Sequence, residues 1–300
     1  MLFSVIVGNP PYQGTKKTGG SKGKPPTIWP KFVEKCNDLL KPDGMMILVH
    51  PAMYRKPGNA LQSILYYNNR KLCMFNNAEA GVTFNVSSRY DWYVIDKTYT
   101  GPTDVTFEDE TTHSIDLTQT PFLPNGSITI WDKCHALVAK VGALHTKKEC
   151  VSPSGVGDYN VVQTVTPTKG IVIRKTDKLP KAYHTNKVII GESGGIGMYD
   201  PGELGMSTNC YYVDVESEEE GLAIVNFIQS KLGQHLIASV KWGNFRTECV
   251  LWHYVPNPYK LGVKPDSTDT DIFEAYNLTQ DEIKFINTYQ YGKCRSKLHE

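Results

Sequence analysis

Four consecutive residues near the start of the chain have the side chains needed to hold an amine on a flat ring. Asn9, Pro10, Pro11 and Tyr12 directly follow the apolar run Ser4–Gly8. The Asn9 side-chain oxygen and the Pro10 carbonyl accept hydrogen bonds, Tyr12 offers a stacking face, and the prolines stiffen the loop. Acceptors positioned in advance can bind both hydrogens of the N6 amine of adenine and turn its lone pair toward a methyl group. This chemistry needs no metal and no strong base.

The elements around this loop follow the pattern of an open α/β sheet. Residues 2–8 are apolar on both faces, which predicts a central strand covered on two sides. A helix is predicted next, then a strand, an interrupted helix and two more strands, at residues 28–40, 45–49, 52–67, 71–75 and 89–96. Ligands of such sheets bind at the carboxyl ends of strands. Asn9–Tyr12 and His50–Pro51 both lie at such ends.

From Gly101 onward the composition changes, and short apolar runs are separated by Thr, Pro, Asp and Gly. Strands are predicted at 161–165, 171–174 and 187–190, and helices at 218–240 and 271–290. We therefore predict an α/β fold class, with a partial Rossmann-like sheet in residues 1–100; the family resemblance given below implies that this sheet is of the methyltransferase type. A second, α+β domain is predicted for residues 101–300.

The net charge of the 300 residues is only +1, but the charges are unevenly distributed. The first 60 residues contain nine Lys or Arg against three acids. Lys16, Lys17, Lys22 and Lys24 lie in a Gly-, Lys- and Pro-rich loop that follows the Asn-Pro-Pro-Tyr run directly. A cationic loop beside the candidate site suits phosphate contacts, although a solvated surface would show the same bias.

Two other features of the composition limit the function classes. No apolar run approaches the roughly 20 residues of a membrane helix, and a signal peptide is not recognisable, so we expect a cytoplasmic protein. The seven cysteines are an odd number, widely spaced and without a Cys-x-x-Cys pair. This spacing argues against a disulfide framework and against a zinc site.

The run Phe3–Gln13 resembles the catalytic motif of adenine-specific DNA methyltransferases of restriction-modification systems, particularly the Eco57I-like group. Further segments resemble that family in the same order: Leu40–Pro51, Ala80–Val86, Ile224–Leu232, Trp252–Pro258 and Tyr276–Ile283. The resemblance implies S-adenosylmethionine as methyl donor and double-stranded DNA as substrate, with residues 101–300 recognising the target site.

The resemblance also implies roles for individual residues. Asn9, Pro10, Pro11 and Tyr12 would be catalytic, and Tyr12 and Phe84 would stack on an adenine flipped out of the duplex. A Phe before a strand is also an ordinary core residue. DNA contacts are expected from Lys16, Lys17, Lys22, Lys24 and Arg246. Arg246 belongs to a cluster with Trp242, Phe245 and Trp252 that could either read DNA or pack the domain.

The sequence departs from the family in one large respect. The family's donor-binding glycine loop and acidic residues precede the catalytic motif, whereas only eight residues precede it here. Gly191–Gly197 follows a predicted strand but leads to no helix, so it is better interpreted as a hairpin. We therefore expect a second polypeptide, or a missing N-terminal segment, to carry the donor site. The alternatives are a non-catalytic DNA-recognition or decoy protein, and an RNA or protein-glutamine methyltransferase.

Overall fold

The computed structural model describes residues 1–15, 25–85, 88–149, 151–166, 168–193, 195–243 and 246–292. Lys16, Lys17, Lys22 and Lys24 lie outside these ranges. The chain divides into two compact units. The first comprises Met1–Gly126, Trp242–Asn244 and Gln290–Glu300, and the second comprises Ser127–Lys241 and Phe245–Tyr289.

The first unit alternates strands and helices along the chain. Its elements are β1 (Phe3–Gly8), α1 (Trp29–Leu39), β2 (Leu40–Pro51), α2 (Gln62–Leu65), β3 (Asn69–Phe75), α3 (Asn77–Phe84), β4 (Tyr90–Asp96), β5 (Thr103–Thr106) and β6 (Thr112–Ile115). Two short 3-10 turns lie at Ala52–Arg55 and Leu117–Gln119. Helix α1 begins at the Trp29–Pro30 pair, and Pro is favoured in the first helical turn because it lacks the amide hydrogen that would be left without a partner there.

All six strands form one mixed sheet in the order β1-β2-β4-β3-β5-β6. β1 runs parallel to β2, whereas β4 runs antiparallel to both β2 and β3. The predicted α/β class is confirmed. β5 pairs in parallel with β3 and antiparallel with β6, so the sheet continues past the residue-100 boundary predicted from the change in composition.

One face of this sheet is covered and the other is partly open. Met46, Leu48 and Tyr93 point to the covered face and are fully buried or nearly so. Within the described residues β1 pairs with β2 alone, and Val5 and Val7 are 57% and 68% exposed. The prediction of a central strand buried on both faces is therefore wrong for β1, because it lies at the edge of the described sheet.

The second unit combines small sheets with helices. Its elements are α4 (Ile128–Val141), β7 (Thr146–Lys147), β8 (Tyr159–Thr166), β9 (Gly170–Thr176), β10 (Lys187–Gly191), β11 (Gly197–Asp200), β12 (Gly205–Met206), β13 (Cys210–Asp214), α5 (Glu218–Gln229), α6 (Lys231–Ser239), α7 (Asp269–Ala275) and α8 (Gln280–Thr288). Two 3-10 turns lie at Cys249–Tyr254 and Tyr259–Leu261.

Its strands form a four-stranded sheet, β11-β10-β13-β7, and a three-stranded sheet, β12-β8-β9. β10 and β11 are antiparallel neighbours, so the glycine-rich run between them joins two strands, as predicted. The helix predicted for residues 218–240 is instead two helices, which separate at Ser230. Across the described part of both units, no helix is long and apolar enough to cross a bilayer.

Candidate functional site

The Asn-Pro-Pro-Tyr loop follows the last residue of β1, at the carboxyl end of the strand. Pro10 is buried, the Asn9 side chain is exposed, and the Tyr12 hydroxyl donates a hydrogen bond to Asn9 Oδ1. The same hydroxyl lies 3.5 Å from the Val49 carbonyl oxygen of β2. Burial raises the pKa of Tyr12 to about 12, with a further rise from Tyr90, while the bond to Asn9 lowers it. Tyr12 is therefore neutral at physiological pH and remains a donor.

Backbone hydrogen bonds join residues 12–14, at the end of this loop, to residues 26–28. The Gly14 amide donates to the Pro26 carbonyl at 2.8 Å, and the Ile28 amide donates to the Tyr12 carbonyl at 3.1 Å. Gln13 and Thr27 form an antiparallel bridge between these two bonds. Tyr12 is thus fixed from both directions along the chain. The four lysines expected to bind DNA belong to the sequence between Gly14 and Pro26, and they lie outside the described residues.

A cavity of about 680 Å³ opens beside Tyr12, entirely within the first unit. Three aromatic rings line it, those of Tyr12, Trp29 and Tyr90. The remaining lining residues are Gln13, Thr27, Pro30, Pro51, Met53, Lys56, Asn59 and Ser88. Apolar walls with a few polar groups are typical of sites for small planar ligands, and the volume exceeds that needed for one nucleobase.

Tyr90 is a component of this site that the sequence reasoning missed. Its ring centroid lies 5.1 Å from that of Tyr12 and 5.4 Å from that of Phe84. Tyr90 therefore lies between the two residues that were expected to sandwich a base. Tyr90 is the first residue of β4, and the antiparallel direction of β4 places it at the same sheet edge as the carboxyl end of β1.

Phe84 occupies the last turn of α3 and is partly exposed, but it is not among the residues that line the cavity. Helix α3 begins at a capping box in which Asn76 and Glu79 satisfy each other's backbone amides. It ends at Asn85, which has a left-handed φ of 54°. This short, well-capped helix positions Phe84 against Tyr90.

A buried histidine, His50, stacks on the ring of Trp29, which lines the cavity. His50 Nδ1 lies 3.1 Å from the Pro51 carbonyl, and Nε2 lies 3.0 Å from the Tyr93 hydroxyl. Because a carbonyl can only accept, Nδ1 carries the proton and Nε2 accepts from Tyr93. Burial lowers the pKa of His50 to about 4. The imidazole is therefore neutral at physiological pH, and it is too buried to act on a ligand directly.

Two buried ion pairs involve the residues on either side of Tyr90. Asp91 on β4 faces Arg55, with Oδ2 3.0 Å from Nε and both side chains fully buried. Burial raises the pKa of Asp91 to about 6, and Arg55 opposes that rise. Arg89 pairs with buried Glu108, with Nη2 3.3 Å from Oε2. Tyr90 thus lies between two anchored residues.

The described lining of the cavity does not fit the methyl donor. S-adenosylmethionine presents two ribose hydroxyls and an ammonium group, for which carboxylates are the natural partners. No Asp or Glu is among the described residues that line the cavity. The described lining offers amide and hydroxyl acceptors, on Gln13, Asn59, Thr27 and Ser88, but no carboxylate.

The residues of the aromatic and basic cluster predicted around Arg246 belong to different units. Trp242 belongs to the first unit and donates to the Leu123 carbonyl at 2.6 Å. Trp252 belongs to the second and donates to the Tyr211 hydroxyl at 2.7 Å. Both tryptophans are buried, so they pack their units. Arg246 is 61% exposed and lies 3.5 Å from Glu192, and Phe245 lies outside the described residues.

Comparison with known proteins finds a similar family for the first part of the chain. Residues 1–80 match the model of the Eco57I restriction-modification methylase family, so the resemblance predicted from the sequence is confirmed over that range. Among solved structures, the type IIG restriction endonuclease BpuSI matches with a TM-score of 0.33 and 14% identity. That match covers 98% of this chain and 50% of the endonuclease, so the chain spans half its length. No curated protein matches the chain.

Proposed function

We propose that this chain is the target-base half of a site-specific DNA adenine-N6 methyltransferase. The observation that carries the proposal is the Asn9–Tyr12 loop, which follows an apolar strand and contributes Tyr12 to the wall of a cavity that Trp29 and Tyr90 also line. The match of residues 1–80 to a restriction-modification methylase family supports the same reaction class. The substrate is then an adenine turned out of double-stranded DNA.

Asn9 and Pro10 hold the amine in this proposal. The Tyr12 hydroxyl donates to Asn9 Oδ1, which orients the amide so that its oxygen is the acceptor. A carbonyl oxygen accepts two hydrogen bonds, and Asn9 is exposed, so one acceptor position remains for an N6 hydrogen. The Pro10 carbonyl takes the other hydrogen. Both contacts draw the amine out of conjugation and strengthen as the nitrogen becomes tetrahedral.

Aromatic rings hold the adenine in plane. Tyr12 and Phe84 are the proposed stacking residues, and each of their rings contacts the Tyr90 ring. Stacking on an aromatic side chain is worth about 1 to 3 kcal/mol per base. That is comparable with the few kcal/mol needed to turn a base out of the duplex. Contacts from Lys16, Lys17, Lys22, Lys24 and Arg246 to the DNA backbone remain part of the proposal.

The methyl donor is S-adenosylmethionine, which supplies an electrophilic methyl group. We propose that its binding residues come from outside this chain, from a segment that precedes it in a longer protein or from a second polypeptide. The edge of β1 supports this view. Long apolar edge strands are usually shielded or charged, but the exposed residues Phe3, Val5 and Val7 are neutral. Asn9 directly follows β1. A strand from another segment or polypeptide that paired with β1 would place its own donor-binding residues next to Asn9.

The test is methylation with the donor half supplied. The chain is mixed with a candidate polypeptide that carries a glycine-rich strand-loop-helix, duplex DNA and labelled S-adenosylmethionine, and the product nucleosides are separated. We expect N6-methyladenine only when both polypeptides are present. Asn9→Ala should lower the rate about 100-fold or more, as loss of one transition-state hydrogen bond does elsewhere. Asn287→Ala, on exposed helix α8 in the other unit, should not change it.

The outcomes separate the candidate functions. Label on cytosine, RNA or a glutamine side chain would contradict the substrate assignment, and an unchanged rate for Asn9→Ala would contradict the catalytic one. A second candidate, a DNA-recognition protein without catalysis, is favoured by the lack of carboxylates in the described cavity lining. Sequence-specific DNA binding with no methyl transfer, despite donor binding by the added polypeptide, would establish that candidate.

A further inference from the structure

The hairpin of β8 and β9 in the second unit has an unusual outer strand. β9 ends its sheet among the described strands, and Ile171 and Ile173 are 47% and 48% exposed. Their antiparallel partners on β8, Val165 and Val162, are fully buried or nearly so in the core of the unit. The hydrophobic core of the unit therefore covers the β8 side chains but not their neighbours Ile171 and Ile173 on β9.

Positive charge accompanies these exposed isoleucines. Lys169, Arg174 and Lys175 are exposed, and the sequence from 159 to 176 contains no Asp or Glu. Within the described residues none of the three forms an ion pair, although Arg174 donates to Gln163 Oε1 at 3.1 Å. The nearest acids along the chain are Asp158 and Asp177, at the base of the hairpin.

Some other cations of the same unit have acidic partners: Lys147 pairs with Asp214, and Lys148 and Arg246 both face Glu192. The three cations of the hairpin differ from these because they face solvent and lie close together on one strand and its turn. On β9, two neutral apolar residues lie in sequence between cations that have no acidic partner among the described residues. Such a strand is complementary to a partner that has anionic groups at its rim and apolar groups in the groove between them.

Two cationic residues of the hairpin have local contacts that limit their freedom. The Lys169 amide donates to Thr166 Oγ1 at 3.1 Å, and the next residue, Gly170, adopts a positive φ of 63° that favours glycine. The Arg174 side chain is held by its bond to Gln163. A side chain that is already held loses less conformational entropy on binding than a free surface side chain does.

We propose that the β8–β9 hairpin is a contact surface for double-stranded DNA. Ile171 and Ile173 face the groove, where thymine methyl groups offer apolar partners, and Lys175 on the same face and Lys169 at the turn bind phosphates beside them. Arg174 points to the opposite face of the strand and binds a phosphate at the strand edge. The major groove of DNA admits a two-stranded ribbon of this kind. The inference rests on the proposed function in that the substrate is DNA, and it assigns the contact to residues that sequence motifs did not indicate.

The test is DNA affinity as a function of salt. A fluorescent 30-base-pair duplex is titrated with the full chain and with the triple variant Lys169→Gln, Arg174→Gln, Lys175→Gln. We expect the slope of log K against log salt concentration to shrink by about 2 to 3 in the variant, since each phosphate contact contributes about 0.9. The matched control is Lys140→Gln, Lys264→Gln, Lys284→Gln, which neutralises three exposed lysines elsewhere in the unit and should leave the slope nearly unchanged.

A second variant tests the apolar row. Ile171→Ser with Ile173→Ser should weaken binding at every salt concentration while keeping the slope, because no charge is removed. Equal affinity and slope for the wild type and the triple Gln variant would overturn the inference while leaving the proposed function intact. DNA binding through the hairpin without methyl transfer, when a polypeptide that binds the donor is also present, would contradict the proposed function alone.

Two further outcomes also decide the matter. If the wild-type chain binds no DNA even at low salt, both the inference and the DNA substrate are wrong. Light scattering tests whether the hairpin instead pairs with a second copy of the chain. A wild-type dimer that the isoleucine variant dissociates, with DNA affinity unchanged, would overturn the inference and assign the edge to self-association.

Discussion

The Trp29 ring lies flat against the His50 ring, with centroids 4.4 Å apart and planes inclined by 18°. Trp29 lines the candidate base cavity, whereas His50 is fully buried beneath it and bonded to Tyr93. One wall of the cavity is thus the Trp29 indole, which stacks on the neutral His50 imidazole. Protonating or removing that imidazole would disturb a wall of the site without touching a ligand.

We predict that His50 makes stability depend on pH. Burial lowers its folded-state pKa to about 4 from the ordinary 6.5, so the unfolded chain takes up the proton first as pH falls. The contribution is complete above about pH 6.5 and is lost between there and pH 4, at about 1.4 kcal/mol per pH unit. Urea denaturation of the wild type and His50→Phe from pH 8 to pH 4.5 measures the difference.

Comparison at each pH isolates this effect from other groups. The pKa of Asp91 is raised to about 6, so Asp91 acts with the opposite sign over the same range, and buried His235 acts with the same sign as His50. Both are present in the wild type and in the variant. A stability difference between the two proteins that does not vary with pH would contradict the prediction.

The Arg55–Asp91 pair gives a second prediction. Asp91→Asn leaves a guanidinium in the core without its counter-charge, which should cost about 3 to 5 kcal/mol of unfolding free energy. Arg55→Met combined with Asp91→Asn removes both charges and should be more stable than Asp91→Asn alone. Asp104→Asn, on an exposed position of β5, should change stability by less than about 0.5 kcal/mol. Equal stabilities for the single and double variants would show that the charges are not coupled.

Tyr12 gives a third prediction, which tests two properties of one side chain. Tyr12→Ala removes the stacking face and should lower methyl transfer by the equivalent of about 1 to 3 kcal/mol, once a donor half is supplied. Tyr12→Phe keeps the ring and removes only the hydrogen bond to Asn9, so its loss should be nearer 1 kcal/mol. Tyr67→Ala, at an exposed position of the same unit, is the control. Equal losses for the Ala and Phe variants would mean that the ring does not stack on the substrate.

Gly233 gives a fourth prediction, on the junction of α5 and α6. A Cβ atom at this position would lie 2.1 Å from the Phe227 carbonyl oxygen, which belongs to backbone and cannot move aside easily. Gly233→Ala should therefore cost about 1 to 3 kcal/mol, although alanine is the better helix former. Urea denaturation gives the value, and Lys284→Ala on exposed α8 should be close to neutral. A stabilising Gly233→Ala would show that the two helices do not approach this closely.

The sequence by itself determined the local chemistry and most elements. Two prolines beside Asn9 and Tyr12 fix the loop through their own rings, and apolar runs of strand or helix period appear wherever a face is buried. The predicted strands at 161–165, 171–174 and 187–190 lie within β8, β9 and β10. Such features depend on neighbours within a few residues, which the sequence displays directly.

Only the tertiary structure decided which residues meet. Tyr90 reaches the cavity because β4 runs antiparallel to β2, and strand direction depends on distant pairing that no local pattern reveals. The apolar run of β1 predicted burial, but burial depends on neighbours in space, and β1 lies at the edge of the described sheet. The helical pattern across Ser230 is interrupted because the Ser230 hydroxyl caps α6 and Gly233 packs against α5. Strand neighbours and close backbone contacts are properties of the packed chain.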